Sequence, residues 1–156
     1  MSKCLITGTF DPPTLGHEAI IHRALSVFDD VAVSILVNPE KETMFSVEER
    51  IRMLTDVCGD KAEVFFWSGW AVDAAKEVHA DVLVRGIRGE RDALYEEEMA
   101  RYNREHGMET VFFFADDVLK DVTSTAVRDA LEKGENVRQY LSDEVARFVA
   151  EYRRTK

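Results

Sequence analysis

The chain has 156 residues, 46% of them hydrophobic and 32% charged, with a formal net charge of −10 and a pI near 4.9. A chain of that length buries roughly two thirds of its unfolded surface around one core, and the composition is globular rather than disordered. The acidic balance argues against a nucleic-acid partner, no apolar run approaches the roughly 20 residues of a membrane span, and no apolar leader follows Met1, so the expectation is a cytoplasmic protein.

Short apolar runs alternate with longer amphipathic stretches. Residues 4–7 read as a first strand. Residues 17–28 read as a helix, with Ala19, Ile20, Ala24, Val27 and Phe28 near helical spacing. Residues 31–37 are a second strand, apolar nearly throughout, as strands buried on both faces are. Ser46-Val47-Glu48-Glu49 is a capping box opening a helix through Ile51, Leu54 and Val57. A third strand over 64–67, a short helix over 72–78 and a fourth strand over 81–85 follow. Residues 91–106 make a long polar helix stopped by Gly107, and 110–114 a fifth strand. Thr123 or Ser124 caps a helix ending at Gly134, and Ser142 caps a last one reaching about Tyr152. Strands alternating with helices predict a single Rossmann-like α/β domain over residues 1–156. Its five-stranded parallel sheet carries helices on both faces, and the C-terminal helices from about residue 123 pack onto it. Cys4 and Cys58 belong to no C-x-x-C pair and read as buried, reduced thiols.

In such sheets the ligand lies beyond the carboxyl ends of the strands. After the first strand comes Gly8-Thr9-Phe10-Asp11-Pro12-Pro13-Thr14-Leu15-Gly16-His17. It is not the G-x-G-x-x-G dinucleotide fingerprint, which removes support for hydride chemistry. Gly8 and Gly16 permit close backbone approach or positive φ. His17 falls at a helix start, where backbone amides and the helix dipole favour a bound phosphate. After the fourth strand, Arg85 and Arg88 stand three apart around Gly86 and can clamp a phosphate; with Arg91 they form a local cationic cluster in an acidic chain. Val122-Thr123-Ser124-Thr125 opens a further helix with hydroxyls and amides, a second phosphate-binding terminus. No Ser-His-Asp or Cys-His arrangement is evident.

These residues carry a resemblance. Gly8-Thr9-Phe10-Asp11-Pro12, followed by Thr14-x-Gly16-His17, resembles the signature loop of the nucleotidylyltransferase superfamily, and the version with threonine first is similar to the phosphopantetheine adenylyltransferases. Asn38-Pro39-Glu40-Lys41, then Met44-Phe45-Ser46 and Glu48-Glu49-Arg50, follow the second strand as in that family. Asp92, Tyr95 and Glu96 are spaced as in its D-x-x-Y-E run, and 122–125 resemble its I-S-S-S/T segment. The resemblance implies transfer of the adenylyl group of ATP to 4′-phosphopantetheine, with Mg²⁺ accompanying the triphosphate, in a homo-oligomer that is a hexamer in the family. It implies His17, Lys41 and Arg88 as catalytic residues. The implied ATP site comprises Thr9, Phe10, His17, Gly86, Ile87, Arg88, Glu96, Leu119, Lys120, Asp121, Val122, Thr123, Ser124 and Thr125. The implied acceptor site comprises Thr9, Lys41, Trp70, Ala71 and Arg85, and Trp70 is expected at the carboxyl edge of the sheet beside the first loop. Gly69-Trp70-Ala71 stands where the family has a Gly/Asp-Leu-Leu/Met stretch, and residues 116–121 replace an aromatic-rich segment. Two alternatives stand beside this reading: a nucleotidyltransferase with another acceptor, nicotinate mononucleotide or a polyol phosphate, and a nucleotide-binding protein without turnover.

Overall fold

Side chains alternate across a strand, so a strand covered on both faces must be apolar at consecutive positions. β1 (Lys3–Gly8) and β2 (Asp30–Val37) meet this condition. Together with β3 (Glu63–Ser68), β4 (Val82–Ile87) and β5 (Glu109–Phe114) they form one parallel sheet in the order β3-β2-β1-β4-β5. The computed structural model describes residues 1–155, apart from the side chain of Arg91, so the third cation of the sequence cluster lies outside the described side chains.

Cys4, Ile6, Val31, Val33 and Ile35 face one way and meet Ile21 and Ala24 of α1 (Leu15–Val27) and Leu54 and Cys58 of α2 (Val47–Cys58). Leu5, Ala32 and Leu83 face the other way, onto Val72, Ala74 and Ala75 of α3 (Ala71–Glu77), with Tyr102 of α4 (Glu90–Glu105) packed alongside. Each buried aliphatic of this kind contributes about 1.5–3 kcal/mol relative to exposure. This is the expected α/β architecture with helices on both faces. A third cluster joins α5 (Ser124–Glu132) and α6 (Asp143–Thr155) to Phe45 and Met53 through Val127, Ala130, Val145 and Val149.

The connections from β1 and β4 lead to opposite sides of the sheet, so a crevice opens where the carboxyl ends of these neighbours diverge. Two boundaries differ from expectation, and both move site residues. Thr14, not His17, heads α1: its hydroxyl accepts the His17 amide, which sets His17 inside the first turn. β4 runs on to Ile87, with Arg85, Gly86 and Ile87 opposite Phe112, Phe113 and Phe114 of β5. Arg85, Gly86 and Ile87 therefore belong to the strand, and Arg88 falls in the loop just after it. Gly86 sits there because an added Cβ would come within 3.0 Å of Ile20 on α1. The 3-10 turns over Asp117–Leu119 and Arg138–Tyr140 went unforeseen, since three residues carry no period.

Candidate active site

The crevice holds a cavity of about 260 Å³. Its walls come from the loop after β1, the first turn of α1, the end of β4 and the start of α5. Of the residues expected in the site, Thr9, Phe10, His17, Lys41, Arg85, Gly86, Arg88, Leu119, Val122, Thr123, Ser124 and Thr125 line it.

His17 is held by a reciprocal cap. The Thr14 amide donates to His17 Nδ1 at 3.0 Å, while the Thr14 hydroxyl accepts the His17 amide at 3.4 Å. Because a backbone amide can only donate, Nδ1 must be the accepting nitrogen, and the ring proton sits on Nε2. Burial, then the positive charges of Arg88 and Arg85, lower the His17 pKa to about 3. The ring is therefore neutral near pH 7 and presents one N–H donor. Its other contact is the edge of Phe10, 4.8 Å away between centroids.

Phe10 rather than a glycine carries the positive φ in this loop, 53°. A bulky residue adopts that region at a cost of order 1–3 kcal/mol. Gly8 and Gly16 are not in the positive-φ region, and Gly16 answers to close approach instead: a Cβ there would lie 3.0 Å from the Val122 carbonyl, on the segment leading into α5.

The arginines are not bare clamps. Arg85 Nη2 lies 2.6 Å from Glu96 Oε1, its Nε reaches both Glu96 oxygens at 3.0 and 3.1 Å, and its Nη1 donates to the Thr7 carbonyl. Glu96 is 5% exposed, so its place is the partner of Arg85 on α4 rather than the cavity lining or a solvated face. Arg88 Nε pairs with Asp92 at 2.8 Å, near the surface. Lys41 reaches the cavity rim from the exposed loop after β2.

Ile87, Lys120 and Asp121 stand outside the cavity lining, as do Trp70 and Ala71. Trp70 follows the edge strand β3, two strands from β1, and is not beside the first loop. It is 54% exposed and stacks on Tyr102 of α4 at 4.7 Å, and Tyr102 stacks in turn on His106 at 4.1 Å. Trp70 is not a core aromatic and lies outside the lining of this cavity, on an aromatic ladder that the sequence did not suggest.

Three further residues shape the cavity and were missed. Asp11 is 3% exposed and accepts the amides of Met44 and Phe45, each at 2.9 Å. Arg128 lines the cavity and donates to the Asp11 carbonyl at 2.7 Å. Arg128 falls one turn after Thr125 on the same helix, and that spacing could have pointed to it. Arg50 donates to carbonyls of both loops that flank the cavity, and only long-range folding brings them to it.

Comparison with known proteins identifies the family. The cytidylyltransferase-like family model matches residues 5–130. The phosphopantetheine adenylyltransferase of Flavobacterium johnsoniae is 38% identical over 148 residues, 93% of this chain and 97% of that protein. The enzyme of the same name from Cereibacter sphaeroides is 37% identical over 158 residues, 96% of this chain and 98% of its own. Among solved structures, a Vibrio parahaemolyticus protein provisionally named a nicotinate-nucleotide adenylyltransferase superposes with a TM-score of 0.71, at 18% identity over 97% of this chain and 93% of that one. At that identity the likeness is one of fold.

Proposed function

Because the chain belongs to the cytidylyltransferase-like family, alongside phosphopantetheine adenylyltransferases that it matches over more than nine tenths of its length, we propose that it transfers the adenylyl group of ATP to 4′-phosphopantetheine. The products are dephospho-coenzyme A and pyrophosphate. The observation that carries the site assignment is the convergence of His17, Lys41, Arg85 and Arg88 on one cavity at the crevice between β1 and β4.

An acceptor phosphate has a second pKa near 6 and is already a nucleophile at neutral pH, so the chain need supply no general base. An acceptor phosphate oxygen forms the new bond to the α-phosphorus as the bond to the β-phosphate oxygen breaks, and the electron pair leaves with pyrophosphate. The protein's part is positioning and charge stabilisation. The neutral His17 ring, held through Nδ1, directs its Nε2 proton to an α-phosphoryl oxygen at the N-terminus of α1. Lys41 and Arg88 balance charge on the phosphates, Thr9 orients the acceptor phosphate, and Arg85, braced by Glu96, receives it. The hydroxyls and amides of 123–125 continue the ATP site.

Among the described residues no three histidine, cysteine or carboxylate side chains gather as a metal cage. The one carboxylate lining the cavity, Asp11, is engaged by two amides and lies 3.7 Å from Arg128. Mg²⁺ therefore belongs to this reading as part of the substrate, held by the triphosphate, where it offsets charge. The reading also covers one nucleotidyltransferase domain over 1–156, a cytoplasmic location and a homo-oligomer, hexameric by resemblance. No helix among the described residues is long and apolar enough to cross a membrane.

The test is a coupled pyrophosphate assay with ATP and a panel of acceptors. Phosphopantetheine is expected to react, with pantetheine lacking the phosphate at least 100-fold poorer in kcat/KM. Equal use of the two, or preference for nicotinate mononucleotide, overturns the assignment.

A further inference from the structure

The loop after β1 is held open in a costly shape, and its anchor lies outside the cavity lining. Arg50, on the first turns of α2, is 3% exposed. Its hydrogen bonds go to backbone carbonyls: Nε to Phe45 at 3.0 Å and to Ser46 at 3.2 Å, and Nη1 to Thr9 at 3.0 Å. Among the described residues no carboxylate lies within salt-bridge distance of it. Burial lowers the Arg50 pKa, and the charges of Asp11 and Glu48 offset only part of that cost, so an apolar side chain of similar volume would fill the space at less cost. What such a side chain lacks is a rigid fork of donors that can fix two loops at once.

The loops so joined carry the two residues that meet at the cavity mouth. Thr9 lies on one and Lys41 on the other, and both also line a neighbouring cavity of about 290 Å³ in which Arg50 forms part of the wall. Between Thr9 and Asp11 stands Phe10 with φ 53°. Arg50 holds the carbonyl before this residue, and the Asp11 carboxylate, after it, takes the amides of Met44 and Phe45. Arg50 and Asp11 thus grip the strained residue from both sides and tie it to the same three-residue stretch, 44–46. A strained conformation persists only where its surroundings over-determine it.

We propose that Arg50 is a positioning residue for adenylyl transfer, fixing the Thr9 loop against the Lys41 loop so that both meet the reacting phosphates in one geometry. The inference rests on the function proposed above. Its action is on the bound complex, so it appears in kcat rather than in capture of ATP.

The experiment compares wild type with Arg50→Lys, Arg50→Gln and Arg50→Ala at a temperature where melts show each folded. Arg50→Gln is expected to lower kcat 10- to 100-fold with the ATP KM changed less than about threefold, and Arg50→Lys to fall between. Guanidinium ion at tens of millimolar is expected to restore part of the Arg50→Ala rate and none of a His17→Ala rate. In hydrogen exchange, the Met44 and Phe45 amides and the amides of 9–11 are expected to lose protection together in Arg50→Gln. A variant that melts earlier yet keeps wild-type kcat, or one in which the two loops exchange independently, overturns the proposal. Should one variant fail to fold, Arg50→Lys, which keeps the charge, carries the comparison. A wild type inactive with phosphopantetheine would overturn the acceptor assignment, while the exchange experiment still decides on Arg50.

Discussion

His17 illustrates how one hydrogen bond decides a chemical role. The Thr14 amide fixes the tautomer, and burial beneath two arginines keeps the ring neutral. His17→Ala should lose about 10²–10³ in kcat, the usual effect of removing one oxyanion-type donor. In the wild type without substrates, the His17 ring should stay neutral from pH 5 to 8, because burial and the two arginines hold its pKa near 3; its ring-proton resonance, followed by NMR across that range, checks this. The same shift acts on stability. The unfolded ring binds a proton below pH 6.5 and the folded ring does not, so this contribution is complete above about pH 6.5 and declines as the pH falls toward 3. Arg85 calls for a two-part test, since it braces Glu96 as well as facing the cavity. Arg85→Ala leaves a buried carboxylate alone. Breaking a fully buried pair costs 3–5 kcal/mol, and about 2 kcal/mol is expected here because the Arg85 side chain is 32% exposed. Adding Glu96→Leu should recover most of the melting temperature while the acceptor KM stays raised. If the double variant regains both, Arg85 is a structural residue.

The helices carry the site by their ends. α1 begins at a threonine cap and brings its first turn to the cavity, and α2 begins with the reciprocal cap of Ser46 and Glu49. The Ser46 cap was readable as a local motif, whereas the sequence puts His17 at the helix start and only the structure shows Thr14 as its cap. The next residue of α1, Glu18, turns away from the cavity. Its Oε2 is buried. Burial raises its pKa, the Ser142 hydroxyl before α6 offsets part of this, and Glu144 adds to it. The raised value means that the folded state resists ionising Glu18, so stability is lost as the pH rises through the folded pKa. Glu18→Gln should therefore raise the melting temperature at pH 7–8 and leave it unchanged near pH 4. Thermal melts across that range decide it, and an equal effect at both ends would assign the change to packing.

For the molecule as a whole, the cluster between α2 and the C-terminal helices does work separate from the crevice. Met53 is 1% exposed, contacts this cluster and lines no cavity described above. Met53→Ala should cost about 2–5 kcal/mol, the range for such core truncations, and leave the ATP KM within about threefold at temperatures where the protein stays folded. Urea unfolding with parallel kinetics separates the two effects. A large KM change would show that the C-terminal cluster sets the cavity's shape.

The chain alone determined the alternation of five strands and their helices, because hydrophobic period and caps are local properties of consecutive residues. It also pointed to the loop 8–17, the arginine pair and the start of α5 as one site, since parallel topology carries strand ends to a common edge. Only the tertiary structure decided what those residues touch. Glu96 is expected from the sequence on the ATP side of the site, and packing against β4 makes it the buried partner of Arg85. Trp70 reads as a wall of the crevice, and strand order sets it on the far edge, stacked on Tyr102. Arg50 stands in the sequence only as the end of a family-like segment with no role assigned, and its grip on Thr9 spans 41 residues of chain. Period and propensity report on neighbours within a few residues, whereas these pairings depend on which strands lie side by side, and that order is fixed only when the whole sheet closes its core.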